Sequence, residues 1–281
     1  MKFYAKIYTA LVLLMLYGPI LVLMLFSFNN TSNTGVFTGF SLYWYRELFS
    51  SAATFSALKN TLILAVSSAC LSTVIGTMAA LGLRNLKRKY VKGLITSITN
   101  IPMMNPDIVT GISMMLLFVF VGTMLGLQDK LNFWTLLIAH TTFNIPYVIL
   151  NVTPKLMQMD KHLPEAALDL GCTPLQAFFK VEFPCIFSGI VTGFIMAFTL
   201  SLDDFVISYF CSGSDFQTLP ILIYSMTKKE VTPDIYALST LMIVAILALL
   251  ILTNLSGSKE ERANIRALRK KKKTLAKEEQ A

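Results

Sequence analysis

Three carboxylates stand inside otherwise apolar stretches: Asp107, directly after Pro106, and the adjacent pair Asp203 and Asp204. A charge at mid-bilayer costs roughly 2.5–3.5 kcal/mol, so acids in such places face a bundle interior or a water-filled cavity. Asp107 sits where a helix would start. Capping or compensation of the helix dipole accounts for it there; lining a pathway at a broken helix is the other reading. Asp203 and Asp204 fall at the end of an apolar run, where a helix C-terminus already carries partial negative charge. Two neighbouring carboxylates there repel unless water or a cation screens them. They either lie hydrated at a membrane surface or attract a cation, for which the nearby rings of Phe205, Tyr209 and Tyr224 offer faces. Tyrosines at such depths also serve as interfacial anchors. Successive residues on a helix point about 100° apart, which is poor geometry for a general acid–base dyad.

Other reactive residue types carry less. His140 lies in an apolar stretch beside Thr141 and Thr142 and reads as a hydrogen-bonded bundle residue, while His162 falls in the loop between the fourth and fifth apolar stretches. The four cysteines, Cys70, Cys172, Cys185 and Cys211, form no C-x-x-C pair and no metal spacing, and read as unpaired small apolar side chains. No metal site and no catalytic residue is expected. The chain contains no G-x-x-x-x-G-K-[ST] loop, no H-E-x-x-H and no nucleophile elbow.

What must position these residues is a set of membrane helices. The 281 residues are 54% hydrophobic and 14% charged, with a mean hydropathy of +0.62. An average soluble domain carries about 25% charged residues. Disorder is excluded, and the apolar residues are bundled into segments too long for a soluble core. A hydrocarbon layer about 30 Å thick needs about 20 apolar residues of helix. Six spans are expected, at about 7–28, 61–83, 107–125, 131–153, 185–202 and 235–255, in one transmembrane domain covering 1–281. The first mimics a signal peptide but is too long and lacks a small-x-small cleavage site, so it is kept as a span, kinked at Gly18-Pro19. The second is rich in small residues and suits the bundle interior. Pro102 and Pro106 divide the third stretch into a short lead-in and a helix from Asp107.

Of 24 Lys and Arg, 19 fall at the two termini and in the loops that share their side. The positive-inside rule then puts both termini in the cytoplasm. The run Arg269 to Lys273 belongs to a basic tail, 256–281, that helps fix topology. The charge of +8 is therefore a membrane signal, and no nucleic-acid partner is implied.

The loop between spans four and five, 163–184, has the marks of two short helices. Pro164 suits a first helical position and Glu165 the positive end of the dipole, and Ala166, Ala167 and Leu168 favour helix. Gly171 stands where a helix ends in the left-handed conformation. Thr173 can cap a second helix with Pro174 at its first position, and Pro184 closes it. Leu175, Phe178 and Phe179 share one apolar face that needs a cover.

Glu165-Ala166-Ala167, Gly171 four residues on, then Val181-x-Phe183-Pro184, resembles the EAA loop of ABC importer permeases, E-A-A-x3-G-x9-I-x-L-P. The spacing matches throughout, with Val for Ile and Phe for Leu. Six spans and an aromatic segment, Phe40 to Phe49, resemble a type I importer permease, an all-α membrane fold. More narrowly, Pro106-Asp107-Ile108-Val109, the segment from Phe198 to Val206, and Leu219-Pro220-x3-Tyr224-Ser225-Met226 are similar to the second permease subunit of spermidine/putrescine transporters. The likeness covers about Phe3 to Leu255.

The resemblance implies a coupling loop in which Glu165, Ala166, Ala167, Gly171 and Pro184 dock on a separate ATPase. It implies no cofactor in this chain, ATP and Mg being held by that partner. It further implies a second permease subunit, two ATPase subunits, an external polyamine-binding protein and the inner membrane of a prokaryote. Asp203, Asp204, Asp107 and Tyr224 would line the pathway of a cationic cargo. The competing readings are a permease for another solute, which would leave the acids without a purpose if the cargo were anionic, a secondary transporter, and an integral membrane enzyme.

Overall fold

The computed structural model describes residues 2–31, 36–160, 162–228 and 233–251. Among these residues the α-helices, in chain order, are α1 Lys2–Phe26, α2 Tyr43–Ser50, α3 Ala52–Asn85, α4 Lys89–Met104, α5 Asp107–Met124 and α6 Phe133–Gln158; then α7 Leu163–Asp169, α8 Pro174–Ala177, α9 Phe183–Asp203, α10 Val206–Cys211, α11 Leu219–Thr227 and α12 Pro233–Ile251. Among the described residues six stretches are long and apolar enough to cross a membrane: 4–26, 52–85, 107–124, 133–158, 174–203 and 233–251. These are the six expected spans. Most run past the expected limits, because hydropathy marks only the part of a helix that must be apolar, and backbone hydrogen bonding carries the helix on into polar sequence. Residues 252–255 and the basic tail lie outside the described residues.

Two expectations at prolines are corrected. Pro102 lies inside α4, so Pro106 alone divides the third stretch, and the lead-in is a helix of 16 residues. α1 carries Pro19 within it, and α6 carries Pro146 and Pro154. Pro184 does not close the second loop helix. A π-helical turn, Phe178–Glu182, joins α8 to α9, and the Phe183 N–H bonds the Phe178 carbonyl. An i→i+5 turn widens the ladder just ahead of the proline, which lacks an N–H and would crowd an ordinary turn.

By its contacts the chain divides into two units: residues 1–68, 101–143 and 200–245, and residues 69–100, 144–199 and 246–281. The first holds the acids Asp107, Asp203 and Asp204. Its apolar core includes Leu48, Ala57, Leu219 and Leu238. Asn29 is fully buried beside a short bridge to Phe40, its Nδ2 donating to the Val36 carbonyl at 2.9 Å and its Oδ1 accepting from the Thr38 N–H at 2.9 Å.

The second unit holds the loop helices α7 and α8. Its core packs the ends of α3, α6 and α9 through Ala80, Leu83, Val148, Val152, Leu156 and Ile186. Glycines bring these helices close, as small residues do in membranes. A methyl at Gly76 would stand 2.7 Å from Val148 Cβ, and one at Gly193 3.3 Å from Val148 Cα. Overpacking of this kind costs about 1–3 kcal/mol. Gly76→Ala is therefore expected to lower the melting temperature of the detergent-solubilised protein, and Val148→Ala in the same chain to recover part of the loss. A Gly76→Ala protein that melts with the wild type contradicts this packing.

Candidate functional site

The polar chemistry of the first unit centres on the break between α9 and α10, at Asp204 and Phe205. The two adjacent acids part company there. Asp203, the last residue of α9, is exposed. The Asp204 side chain is 10% exposed, and its carboxylate accepts from the Ile207 N–H at 3.3 Å and the Ser208 N–H at 2.8 Å, which makes it the effective cap of α10.

His140 supplies the rest of what a buried carboxylate needs. Its Nε2 lies 3.4 Å from Asp204 Oδ2 and 3.1 Å from Ser208 Oγ, and its Nδ1 lies 3.1 Å from Ser201 Oγ. Ser201 Oγ in turn lies 2.8 Å from Ser68 Oγ of α3. An ionised carboxylate only accepts, so the ring must present an Nε2–H to it. Nδ1 faces the Ser201 hydroxyl, which can donate or accept. His140, Ser68, Ser201 and Ser208 are at most 2% exposed, so the chain of bonds is sealed from solvent and ties α3, α6, α9 and α10 together.

Just past the break, aromatic rings gather at Phe205. The Phe205 ring centroid lies 4.6 Å from that of Tyr224 and 5.4 Å from that of Tyr209, and Tyr209 meets Tyr224 edge-on at 5.8 Å. Tyr209 and Tyr224 are both exposed. Lys228 Nζ stands 4.6 Å from the Tyr224 centroid, within the range of a cation–π contact. Neighbouring helices anchor these rings. α10 lies against α5, with Cys211 Sγ 3.8 Å from the Gly111 carbonyl. The start of α11 is held on α3 by the Leu219 N–H donating to Thr61 Oγ1 at 2.7 Å and by Asn60 Nδ2 donating to the Gln217 carbonyl at 3.1 Å.

Asp107 opens α5 and is exposed; Pro106 is the cap residue, and no side chain caps this end. Its place in the first turn suits the dipole. Among the described residues no group of three His, Cys, Asp or Glu side chains could hold a metal ion.

The loop of the second unit folds by local rules. Gly171 has φ +87°, with its N–H bonded to the Leu168 carbonyl at 2.9 Å and the Cys172 N–H to the Ala167 carbonyl at 3.1 Å. These two bonds make a Schellman end for α7. Thr173 and Gln176 form a reciprocal capping box on α8. Ala167 is buried, whereas Glu165, Ala166 and Pro184 are exposed. The apolar face stands open, with Leu170 86%, Leu175 72% and Phe179 61% exposed.

Sequence reasoning missed the pairing of His140 with Asp204; the available signal was that ionisable groups in apolar spans pair with one another. It also missed Gln176 as the partner of Thr173, which the S/T-x-x-E/Q spacing announces.

The two acids predict opposite behaviour on substitution. Asp204→Ala strips the cap from α10 and leaves buried donors without acceptors, a loss of about 1–3 kcal/mol. It should reduce both thermal stability and membrane accumulation. Asp203→Asn should leave both near the wild-type level. Equal stability of the two variants in a thermal-shift assay contradicts the assignment of Asp204 to structure.

Solved structures with the same fold include a bacterial ABC transporter involved in the import of the acidic polysaccharide alginate, with TM-score 0.70 and 16% identity, covering 93% of this chain and 95% of that one. The putrescine transport system permease protein PotI of Escherichia coli (strain K12) is 38% identical over 82% of each chain. The spermidine/putrescine transport system permease protein PotC of Haemophilus influenzae is 38% identical over 85% of this chain and 91% of its own. The family model for the binding-protein-dependent transport system inner membrane component matches residues 72–258. With that match and relatives this similar, the chain belongs to the family of inner membrane components of binding-protein-dependent transport systems.

Proposed function

We propose that this chain is one permease subunit of an ATP-driven importer for a polyamine, spermidine or putrescine, in the inner membrane of a prokaryote. The observation that carries the reading is the exposed Asp203 at the C-terminal end of α9, next in the chain to the Asp204–Phe205 break and its aromatic trio. A carboxylate at the negative end of a helix dipole favours a cationic partner. An alkyl ammonium already rests on one of the rings, that of Lys228 on Tyr224, and a polyamine carries the same group at its ends. The fold alone leaves cargo open, since an alginate importer shares it; the side chains must decide, and these suit a cation.

In this reading Asp203 receives an ammonium group while Tyr224, Tyr209 and Phe205 cover its alkyl stem. Asp204 shapes the break without meeting the cargo, and Asp107 is a further acid along the pathway. The other subunits are a second permease, two ATPases that bind ATP and Mg, and an external polyamine-binding protein. Both termini face the cytoplasm. The 163–184 loop docks on an ATPase through Glu165, Ala166, Ala167 and Gly171, with Pro184 at its end and Leu170, Leu175 and Phe179 buried by the contact. ATP binding and release then drive exchange between two states of the pathway.

Uptake of labelled spermidine at low external concentration tests the cargo. Cells lacking this chain, and no other active polyamine importer, should lose uptake. Asp203→Asn should raise the half-saturating concentration about 10- to 150-fold, the weight of a charge-assisted hydrogen bond of about 1.5–3 kcal/mol. Uptake that survives deletion of the chain overturns the polyamine assignment.

A graded series at Gly171 tests the loop. A Cβ there meets nothing within 4 Å, so only the left-handed backbone opposes substitution, at about 1–2 kcal/mol for an ordinary residue. Uptake should fall in the order Gly171→Asn, Gly171→Ala, Gly171→Val, with unchanged membrane levels. Equal uptake across the series removes the turn from the docking mechanism.

A further inference from the structure

The second unit contains a contact that the docking loop does not use for its own folding. Arg84 lies in the last turn of α3, and its Nη1 stands 3.8 Å from Oε1 of Glu182, the last residue of the π turn between α8 and α9. The two side chains are only 20% and 18% exposed, so solvent screens the pair less than it would on an open surface. Arg84 also sits at the negative end of the α3 dipole, which favours its charge. Beneath the pair, Leu83 of α3, Leu156 of α6 and Ile186 of α9 belong to one apolar cluster.

The π turn makes this placement informative. A π turn is rare and recurs at functional sites. The segment that bears the exposed face of the loop is joined to α9 through this turn, and Glu182 at its end meets Arg84 of α3.

We propose that Arg84 and Glu182 form a clasp that holds the π turn and passes movement of the α7–α8 loop to α3 as well as to α9. Arg84 is a positioning residue: it touches no cargo and acts through Glu182. The inference rests on the reading of the loop as the ATPase docking site. Without the clasp, the loop moves against the bundle, and ATP is hydrolysed without matching transport.

The test uses the complete transporter, both permeases and both ATPases, in vesicles with its binding protein, and measures spermidine uptake and ATP hydrolysis in parallel. Arg84→Glu and Glu182→Arg should each lower uptake per ATP about fivefold while hydrolysis continues. The double exchange, Arg84→Glu with Glu182→Arg, should restore most of the ratio, and Arg84→Lys should keep it. The clasp is overturned if the single variants keep the wild-type ratio, if uptake and hydrolysis fall together, or if the double exchange is no better than the worse single variant. Should a charge-reversed chain fail to reach the membrane, Arg84→Gln and Glu182→Gln give the same comparison.

A wild-type complex that hydrolyses ATP and moves no spermidine indicts the cargo assignment and not the clasp. A cargo-independent measurement then decides: spin labels at Lys87 and Lys180, both exposed, in a chain whose four cysteines are replaced. Their separation should stay constant between the ADP and ATP–vanadate states and change in the Arg84→Gln/Glu182→Gln chain. Labels that move apart in the wild type overturn the proposal.

Discussion

A carboxylate cannot be left bare in an apolar bundle, and the arrangement of the first unit follows from how Asp204 meets that demand. Two backbone N–H groups and the His140 ring complete its hydrogen bonding. To supply the backbone groups, α9 must stop and α10 must start beside it. To supply the ring, α6 must stand alongside, and the serines that orient the ring bring in α3 through Ser68 and Ser201. Because successive residues diverge at a helix end, fixing Asp204 inward turns Asp203 outward. Tyr224 reaches Phe205, at the same break, with α11 pinned to α3 at Thr61.

The second unit solves a different problem with different means. Its helices must approach closely and carry a loop that keeps its shape while presenting an apolar face. Glycines at 76 and 193 against Val148 provide the approach. The loop's shape comes from bonds within itself, the Schellman end at Gly171 and the Thr173–Gln176 box. Leu170, Leu175 and Phe179 stay exposed on it.

The contrast explains what could be read from the chain. Spans were legible because a hydrocarbon layer imposes length and polarity on contiguous residues. Gly171, Thr173 and Pro174 were legible because caps act within a few positions of one another. The helix ends beyond the apolar stretches were not, since hydrogen bonding continues a helix where hydropathy falls silent. Nor was the fate of Pro184: whether a proline ends a helix depends on the turn before it, and a π turn has no composition signal. The partner of His140 lies on a different helix, so the ring's polar character could be read but its role could not. The same holds for the pair Asp203 and Asp204, where divergence was expected but the inward member was not.

If Asp203 serves the cargo and Asp204 the fold, a structure of the complete transporter with spermidine in its pathway will show it. An ammonium group should lie within hydrogen-bond reach of the Asp203 carboxylate, its alkyl stem against Tyr224, Tyr209 or Phe205, while Asp204 stays on His140 and the N–H groups of Ile207 and Ser208. An ammonium bound to Asp204, with the His140 ring turned away, contradicts the account.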